Sequence, residues 1–527
     1  MARPSISPSP STWCCERVSR AASTSPAIES WNPATGERLG TVSEASVADV
    51  RAAVSAARQA QLSWGALPVS ERAARVSRLR GLIVARADAL SAQISAENGK
   101  TRFEALMMEV FPLAELVRYF CKHAEEILAP RRIPLALMKH RRSYVHYAPR
   151  GVVGIIAPWN FPLAIPFGES VMALLAGNAV VLKPSDLTPL IAEAALSLFR
   201  EGGIPDDLVR IVHGRGATGA ALIDASVDQV CFTGSVTTGR KVAAACGERL
   251  IPCTLELGGK APAIVCDDAD LERTAQALVW GAFANSGQVC ASVERVYAHT
   301  AIHDELVTRV VEHAARLRQG DPASFETDVG AICFPRQLDV ARALIDDAVA
   351  QGARVVLGGA ALPLSAGPDG FPRSFFQPTV VTHVRPSMRI LREESFAPLL
   401  PIMRVTDVDE AVRLANDSDY GLLGYVFTGD RAKGRAIAER IRAGTVMVND
   451  VLMTYGLPET PWAGVKHSGI GRVHSAEGLR ELCETRHVHH DAFFTPPREL
   501  WWYPYGKSTY KNALKALRLF LGGRGGA

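Results

Sequence analysis

Four short apolar runs separated by alanine-rich stretches are the feature that most constrains the fold of this sequence. The runs cover residues 152–156, 179–182, 208–212 and 229–232. Near-continuous apolar strands of this kind are typical of a parallel sheet that helices cover on both faces. Beyond residue 290 the pattern returns, with strands predicted at 296–298 and 354–357 and helices at 302–318 and 335–351. The sequence therefore predicts an α/β fold with two regions of this type.

Length and composition fit a large globular protein. The chain has 527 residues, 48% hydrophobic and 21% charged, and this length predicts two or three domains. The formal net charge of +4 is small and is interpreted as spread along the chain, so nucleic-acid binding is not expected. The ten cysteines show no CxxC pair and no metal-type spacing, which predicts free thiols and no metal site. No apolar run approaches the roughly 18 to 20 residues of a membrane-spanning helix, so a cytoplasmic protein is expected.

Residues 1–27 predict a disordered extension. They are rich in Ser and Pro, and they contain Arg3, Arg17 and Arg20 against Glu16. They lack the apolar core of a secretory signal, which is therefore not expected. An upstream choice of start codon and an organellar presequence remain alternatives.

Helical periodicity dominates the next hundred residues. A turn at 31–37 separates two short strands, and helices are predicted at 47–63, 70–97 and 102–128. Ser70 suits the N-cap of the second helix, and Gly99 suits a left-handed C-cap after it.

Residues 283–291 place a cysteine among small and amide-bearing side chains. Cys290 follows Asn285, Ser286, Gly287 and Gln288 after an apolar helical run, so its surroundings are predicted to be polar and conformationally loose. A thiol in this setting fits a nucleophile held at the floor of a pocket. A buried free thiol without a chemical role is the alternative.

A carboxylate and an amide upstream could share a site with this thiol. Glu256 lies between two leucines, and an acid in an apolar setting has the raised proton affinity that a general base needs. Asn160 lies in a turn bracketed by Pro158 and Pro162, which would hold its amide rigidly as an oxyanion donor. Each signal alone also fits an ordinary structural residue.

Two loops follow strands at the edge where a parallel sheet binds its ligands. The segment 183–186 offers Lys183 and Asp186 to a ribose or a phosphate. The segment 233–239 joins a strand to a helix, and its glycines would let a pyrophosphate approach the helix N–H groups. Because this segment is not GxGxxG, glycines that serve only a tight turn are the alternative.

In this order and spacing, the motifs resemble the NAD(P)-dependent aldehyde dehydrogenase superfamily, from about Asn32 to about His489. In that family the cysteine attacks the aldehyde carbon to give a thiohemiacetal, hydride passes to nicotinamide, and the glutamate activates the water that hydrolyses the thioester. The resemblance makes Cys290 the nucleophile, Glu256 the base, and Asn160 the oxyanion donor beside the Cys290 backbone N–H. An aldehyde dehydrogenase is thus expected, with NAD as its cofactor and NADP as the alternative.

The resemblance also implies a Rossmann-type cofactor domain, an α/β catalytic domain and a small β oligomerisation element. Such an element implies a homodimer or a homotetramer. The basic and aromatic stretch 139–147 and the histidine-rich stretch 484–491 are interpreted as strands of this element, not as a nucleic-acid or a metal site. The implied limits are 28–134 and 150–257 for the cofactor domain, 258–482 for the catalytic domain, and 135–149 and 483–494 for the oligomerisation strands.

Twelve residues carry over from the family as cofactor contacts. An acid at Asp186 would bind ribose hydroxyls and repel a 2′-phosphate, which favours NAD. Residues 391–398 resemble the family's EExFGP segment, with Ala397 in place of the usual glycine. The implied contacts are Ile156, Trp159, Lys183, Ser185, Asp186, Gly214, Gly234, Ser235, Gly239, Leu257, Glu394 and Phe396.

The substrate is expected to be an apolar aliphatic or aromatic aldehyde. Family members that oxidise succinic semialdehyde often carry an arginine eight residues after the oxyanion asparagine, whereas this chain has Gly168 there. A buried carboxylate without a partner is costly, so an apolar tunnel disfavours that substrate. Residues 457–472 resemble the family's PFGGxKxSGxGR loop, in which Trp462 either lines the site or only packs. Succinate-semialdehyde dehydrogenase and a cofactor-independent thiol esterase remain the alternatives.

Residues 495–527 form an extension beyond the resemblance. An aromatic cluster at 501–505 precedes a predicted amphipathic helix at 508–521, which has one apolar and one basic face. This helix would dock on the body or on a second subunit, or it would make peripheral contact with a membrane.

Overall fold

The computed structural model describes residues 26–499 and 501–521. Most of the predicted disordered extension, residues 1–25, lies outside the described residues. The strands are β1 (Ala27–Trp31), β2 (Arg38–Ser43), β3 (Arg131–Ile133), β4 (Arg141–Pro149), β5 (Val152–Ile156), β6 (Ala179–Lys183), β7 (Val209–Ile211), β8 (Gln229–Thr233), β9 (Cys253–Glu256), β10 (Ala261–Val265), β11 (Val293–His299), β12 (Arg354–Leu357), β13 (Thr379–Thr382), β14 (Leu399–Val405), β15 (Leu423–Phe427), β16 (Thr445–Val448), β17 (Gly469–Ile470) and β18 (Cys483–Asp491). The helices are α1 (Val47–Gly65), α2 (Val69–Val76), α3 (Arg78–Ala85), α4 (Ala87–Asn98), α5 (Arg102–Ala105), α6 (Phe111–Ile127), α7 (Ala164–Leu175), α8 (Pro189–Glu201), α9 (Gly216–Asp224), α10 (Val236–Arg249), α11 (Leu271–Phe283), α12 (His303–Ala315), α13 (Arg336–Ala350), α14 (Val408–Asn416), α15 (Arg431–Ala438), α16 (Ser475–Glu481) and α17 (Lys507–Leu521).

Six strands form one sheet in the order β17-β9-β8-β5-β6-β7. All neighbours are parallel except β17 and β9. β5 and β6 are buried along their whole length, as their apolar sequences predict. The chain order reverses beside β5, which lies between β6 and β8. At such a switch point a crevice opens beyond the carboxyl ends of the strands, and ligands bind there.

Seven strands form a second sheet in the order β12-β13-β14-β11-β10-β15-β16. Its strands are parallel except for the edge pair β12 and β13. Helix α11 packs on this sheet through Leu278 and Phe283, which share one core cluster with Tyr425 of β15. The packing fixes the end of α11, from which the chain runs directly to Cys290. The predicted strands after residue 290 are confirmed as β11 and β12.

A third sheet of three antiparallel strands has the order β18-β4-β3. β18 pairs with β4 from Cys483↔Pro149 to Asp491↔Arg141. β18 lies at the edge of this sheet, and its side chains are exposed from Glu484 to His490. The two predicted strands at 139–147 and 484–491 are thus confirmed as β4 and β18.

The helix predicted at 70–97 is wrong as a single element, because the structure has three helices, α2 to α4. The Ser77 hydroxyl donates to the Ala74 carbonyl at 2.8 Å, a bond that competes with the backbone ladder where α2 ends. Ser70 is not the N-cap, since α2 begins at Val69 after Pro68. Gly99 does adopt the predicted left-handed C-cap, with φ 92°.

The predicted C-terminal helix is present as α17, but it does not pack on the described part of the body. None of its described side chains is buried. The expected docking on this chain's own body is therefore not observed. Within the described ranges, no helix has the length and apolar character needed to cross a membrane.

Candidate active site

A cavity of about 850 Å³ opens at the carboxyl ends of β5, β6 and β8. Cys290, Glu256 and Asn160 all line it. Ten of the twelve predicted cofactor contacts line the same cavity, the exceptions being Gly214 and Gly239. Segments more than 100 residues apart in the sequence therefore meet at the switch point of the first sheet.

Cys290 is presented by a turn with unusual backbone geometry. The 3-10 helix Ala284–Gly287 follows α11, and Asn285 and Ser286 adopt φ of 50° and 55°. Gly287 continues the turn with φ 75°. Left-handed conformations at non-glycine residues cost of order ~1–3 kcal/mol each and persist only where the surroundings enforce them.

Buried hydrogen bonds enforce this turn. The Asn285 backbone N–H donates to the Glu104 carboxylate at 2.7 Å. The Ser286 hydroxyl donates to the Gly330 carbonyl at 2.9 Å, and the Gln288 amide oxygen accepts from the Cys333 backbone N–H at 2.8 Å. The expected loose surroundings of Cys290 are therefore wrong, because the amide and hydroxyl groups that suggested mobility are buried and bonded.

The Cys290 thiol is held in its protonated form. Burial, together with the charges of Glu394 and Glu256, raises the pKa of this thiol to about 12. The backbone N–H groups of Ala291 and Cys290 lower it in part. The nucleophilic thiolate is the minor species at neutral pH, so a base must remove the proton for reaction.

Glu256 is the last residue of β9, and its carboxyl group is buried. Neither carboxyl oxygen has a hydrogen-bond partner among the described residues. Burial raises the pKa of Glu256 well above its ordinary value, and the nearby acid Glu169 raises it further, while the Trp462 indole partly offsets both. This carboxyl has high proton affinity and free acceptor sites, which are the properties of a general base.

Asn160 lies in the turn after β5 and is 4% exposed. Its side-chain amide donates to the Gln288 carbonyl at 3.0 Å, which ties the turn directly to the Cys290 loop. Its backbone carbonyl accepts from the Asn285 amide at 3.2 Å. The Asn160 turn is therefore hydrogen-bonded to the loop that carries Cys290, and both residues line the same cavity.

A buried ion pair that the sequence reading missed supports Asn160. The Lys100 ammonium donates to Glu109 at 2.7 Å and to the Asn160 carbonyl at 2.7 Å. The other Glu109 oxygen accepts from the backbone N–H groups of Leu163 and Ala164 at 2.8 and 3.0 Å. Lys100 follows Gly99, whose sequence signal was interpreted only as a helix end. Glu109 lies in the π-helix Leu106–Val110, which sequence patterns do not reveal.

The loop between β8 and α10 has the geometry of an anion site. Ser235 is the N-cap of α10, and its hydroxyl accepts from the Thr238 backbone N–H at 3.3 Å. A Cβ at Gly234 would lie 2.6 Å from the Phe232 ring, so no side chain fits there. The free N–H groups at the start of α10 favour a negatively charged group such as a pyrophosphate.

Lys183, Ser185 and Asp186 line the cavity beyond β6. Burial lowers the pKa of Lys183, and the charge of Asp186 raises it in part. Arg215 was not predicted, although it lines the same part of the cavity. Its guanidinium lies 3.8 Å from Asp186 and 3.0 Å from Glu44. The only sequence signal for this residue was its position directly after Gly214.

Glu394 and Phe396 line the cavity on the side of the second sheet. The Gly259 backbone N–H donates to the Glu394 carboxyl at 2.9 Å. Burial raises the pKa of Glu394 to about 8. The Phe396 ring meets Trp159 edge-on, with centroids 5.4 Å apart. Phe396, and not Ala397, takes the left-handed backbone, with φ 47°, so the alanine does not obstruct this loop.

The two predicted contacts that do not line the cavity, Gly214 and Gly239, pack closely against elements that do. A Cβ at Gly239 would lie 2.5 Å from the Leu257 side chain. A Cβ at Gly214 would collide with Thr218 in the first turn of α9. Both glycines therefore allow a helix to approach the cavity wall closely.

An apolar wall adjoins Cys290. Phe161, Ile165 and Trp462 belong to one buried cluster, against which the Cys290 and Tyr455 side chains pack. Trp462 is 4% exposed and meets Tyr455 edge-on at 5.0 Å. Trp462 does not line the cavity, so of the two alternatives for this residue the structure supports packing. At Gly168 a Cβ would lie 3.1 Å from Leu116 of α6.

Comparisons with known proteins agree with this geometry. The sequence model described as "Aldehyde dehydrogenase family" matches residues 20–488. The putative succinate-semialdehyde dehydrogenase (NADP(+)) of Mycolicibacterium smegmatis is 39% identical over 455 residues, 86% of this chain and 87% of that protein. The 4,4'-diapolycopene aldehyde oxidase of Methylomonas sp. is 39% identical over 496 residues, 92% of this chain and 89% of that protein. The solved NAD-dependent aldehyde dehydrogenase of Sinorhizobium meliloti aligns with a TM-score of 0.85 and 34% identity, over 91% of this chain and 93% of that one.

Proposed function

The chain belongs to the aldehyde dehydrogenase family, an oxidoreductase family that acts on aldehydes with NAD or NADP, and on this premise we propose which residues carry the reaction. Cys290 is the nucleophile and Glu256 is the general base. The Asn160 amide and the Cys290 backbone N–H stabilise the oxyanion. One observation carries this proposal: all three side chains line the same cavity as the loops after β6 and β8.

The residues of the cavity fit a dinucleotide. Its volume of about 850 Å³ is within the range of small-molecule sites. Lys183 and Asp186 would hold the adenosine ribose, Ser235 and the start of α10 the pyrophosphate, and Glu394 the nicotinamide ribose. The bound cofactor would accept a hydride from the carbon that Cys290 holds.

The residues divide the remaining chemistry between them. The Cys290 thiol would lose its proton to solvent water, and its sulfur would then form a bond to the aldehyde carbon, which leaves the Glu256 carboxylate free for the later step. The charge that develops on the aldehyde oxygen would be met by the Asn160 amide, which Lys100 holds in place. After oxidation Glu256 would take a proton from water, and the resulting hydroxide would displace the acyl group from sulfur.

We propose an uncharged apolar aldehyde as the substrate. The wall beside Cys290 is apolar and aromatic, as Phe161, Ile165 and Tyr455 show. The cations that line the cavity, Lys183, Arg215 and Lys241, come from the segments assigned to the cofactor. A succinate-semialdehyde substrate would need a cation on the apolar side for its carboxylate.

A chain-length series of aldehydes, assayed for NAD(P)H at 340 nm with each cofactor, tests the function and the substrate together. We expect kcat/KM to rise from short to longer aliphatic and aromatic aldehydes, and succinic semialdehyde to be a poor substrate. A preference for succinic semialdehyde would overturn the substrate proposal. Ester turnover without any cofactor reduction would favour the thiol esterase instead.

We further propose a cofactor domain (28–134 and 150–257), a catalytic domain (258–482) and oligomerisation strands (135–149 and 483–494). These limits contain most strands of the first, second and third sheets in turn, whereas β17 of the first sheet lies within 258–482 and β3 of the third lies within 28–134. The exposed edge of β18 supports a homodimer or a homotetramer, because an unpaired edge is a template for another chain. Val488→Pro should lower the molar mass in light scattering, whereas Val47→Gln, on an exposed helix, should not. Peripheral membrane contact is a separate proposal, because it depends on the surface of α17 and not on the edge of β18.

A further inference from the structure

The C-terminal segment, residues 492–521, presents an apolar face that the enzymatic site does not use. Leu517, Phe520 and Leu521 of α17 are 54%, 66% and 67% exposed. Tyr510, which is 71% exposed, lies seven residues before Leu517, and Phe520 and Leu521 lie three and four residues after it, so the four share one helix face. A helix of this length is marginal in water unless such a face is covered.

An aromatic cluster precedes this helix and is also exposed. Trp501, Trp502, Tyr503 and Tyr505 are 52%, 50%, 79% and 65% exposed. Rings with one apolar body and one polar tip are typical of the boundary between lipid headgroups and acyl chains. The aromatic cluster and the apolar face of α17 therefore both expose apolar surface of the kind that enters a lipid interface.

The charge of the whole chain is concentrated in the same segment. Residues 492–521 contain Arg498, Lys507, Lys511, Lys515 and Arg518, against Glu499 as their only acid. The segment thus carries the same net charge as the whole chain, +4, and the rest of the sequence is balanced. The impression of evenly spread charge is therefore wrong.

The single acid of the segment is used internally. Glu499 is 6% exposed and pairs with Arg141, the first residue of β4. This ion pair attaches the start of the segment to the third sheet. The charge that remains on the exposed part is positive, and a like-charged copy of the same helix would be repelled. The complementary partner is therefore an anionic surface that also accepts apolar side chains.

We propose that residues 492–521 bind the surface of an anionic lipid bilayer. The apolar face of α17 and the aromatic cluster enter the interface, and the four basic residues of α17 contact the headgroups. This proposal rests on the proposed function in one respect: the bilayer would hold the apolar aldehyde that the enzyme oxidises.

Flotation of the full-length enzyme with lipid vesicles tests the proposal. We expect binding to vesicles of phosphatidylcholine mixed with phosphatidylglycerol, weaker binding to phosphatidylcholine alone, and release at high salt, since salt screens surface charges. Replacing Lys507, Lys511, Lys515 and Arg518 together by Gln should lower the partition coefficient at least about tenfold. The pair Leu517→Gln and Phe520→Gln should also lose binding.

A matched control removes four exposed basic residues elsewhere, with Arg51, Lys122, Arg431 and Arg435 replaced by Gln. This control should bind vesicles like the unaltered enzyme. All variants should keep the same kcat/KM on a water-soluble aldehyde without vesicles, which shows that the body is folded and tests the enzymatic proposal separately.

Three results would overturn the membrane proposal. The first is equal binding to neutral and anionic vesicles, and the second is undiminished binding by the fourfold α17 variant. The third is an enzyme that binds no vesicle but loses its oligomeric state when residues 492–527 are removed, because a second copy would then cover the apolar face.

Discussion

The thiol end and the nucleotide end of the cavity are built in opposite ways. At the thiol end, Asn285 and Ser286 are 0% and 1% exposed and their left-handed backbone is fixed by buried hydrogen bonds. At the nucleotide end, the Asp186 and Arg215 side chains are 37% and 55% exposed, and their ion pair spans 3.8 Å. The residues around the thiol are thus fixed in the protein interior, whereas the side chains assigned to the cofactor are partly exposed and can adjust their conformation. Substitutions at the thiol end should lower the dehydrogenase rate and the free energy of unfolding. Substitutions at the nucleotide end should change the preference between NAD and NADP.

The largest effect is expected at Cys290. Cys290→Ala should reduce dehydrogenase activity by more than about 10³-fold, because no other group can form the covalent intermediate. Cofactor affinity, measured by fluorescence titration, should change little, since the nucleotide loops are untouched. Cys121→Ser, outside the cavity, should retain full activity. Substantial aldehyde oxidation by Cys290→Ala would remove the thiol from the mechanism.

Glu256 separates the two halves of the reaction. In Glu256→Gln, steady-state turnover should fall by about 10²–10⁴-fold, because water is no longer activated for thioester hydrolysis. A burst of reduced cofactor, measured by stopped flow, should survive. Glu459→Gln, an exposed acid, serves as the control. Loss of the burst itself would show that Glu256 is required already for attack by the thiol.

Lys100 tests the rigidity of the thiol end directly. Lys100→Met leaves the Glu109 charge buried and unpaired, so the free energy of unfolding in urea should fall by about 3–5 kcal/mol. Arg215→Ser at the nucleotide end should change the free energy of unfolding by no more than about 0.5 kcal/mol. The double change Lys100→Met and Glu109→Leu should recover part of the loss. If Lys100→Met and Arg215→Ser had the same free energy of unfolding, the thiol end would not be more rigidly built than the nucleotide end.

Asp186 should set cofactor preference without changing stability. Asp186→Ser removes a negative charge beside Lys183 and Arg215, so the ratio of kcat/KM for NADP over NAD should rise about tenfold, equivalent to ~1.4 kcal/mol. Asp206→Ser, whose side chain is 72% exposed in a pair with Arg200, is the matched control. An unchanged ratio would assign the preference to other residues.

The smallest effect concerns the reactivity of the free thiol. The Glu394 carboxyl, whose own pKa is about 8, raises the pKa of Cys290. Removing this charge in Glu394→Gln should lower the pKa of Cys290, so iodoacetamide should label the thiol a fewfold faster at pH 9. At pH 6, where Glu394 is mostly protonated in the unaltered enzyme, the two rates should converge. A slower reaction at pH 9 would contradict this electrostatic account.

The sequence predicts the parts of this molecule that depend on local pattern. Apolar runs located β5, β6 and β8, and Gly99 located a helix end. Local sequence context singled out the three candidate catalytic residues, Glu256, Asn160 and Cys290. The resemblance to the family then predicted that they belong to one site. Asn160 and Glu256 line one cavity because they follow or end the parallel strands β5 and β9, whose carboxyl ends lie at the same edge of the first sheet. The loop that carries Cys290 is held there by the hydrogen bond from Asn160 to the Gln288 carbonyl.

What the sequence could not show depends on contacts between distant segments. Lys100 and Glu109 look like ordinary helix-surface charges until they meet the Asn160 carbonyl. Arg215 has no motif of its own, and only the fold places it near Asp186. The turn at Asn285 was misjudged for the same reason: amide side chains suggest a loose loop, but Glu104 and Gly330 hold it from elsewhere in the chain.

The unpartnered carboxyl of Glu256 has a consequence for the evolution of this fold. A buried acid without a hydrogen-bond donor makes the native state less stable than a well-packed apolar residue at that position would. Activity and thermal tolerance are therefore opposed at this residue. Selection for stability alone, without selection for turnover, would favour replacing it.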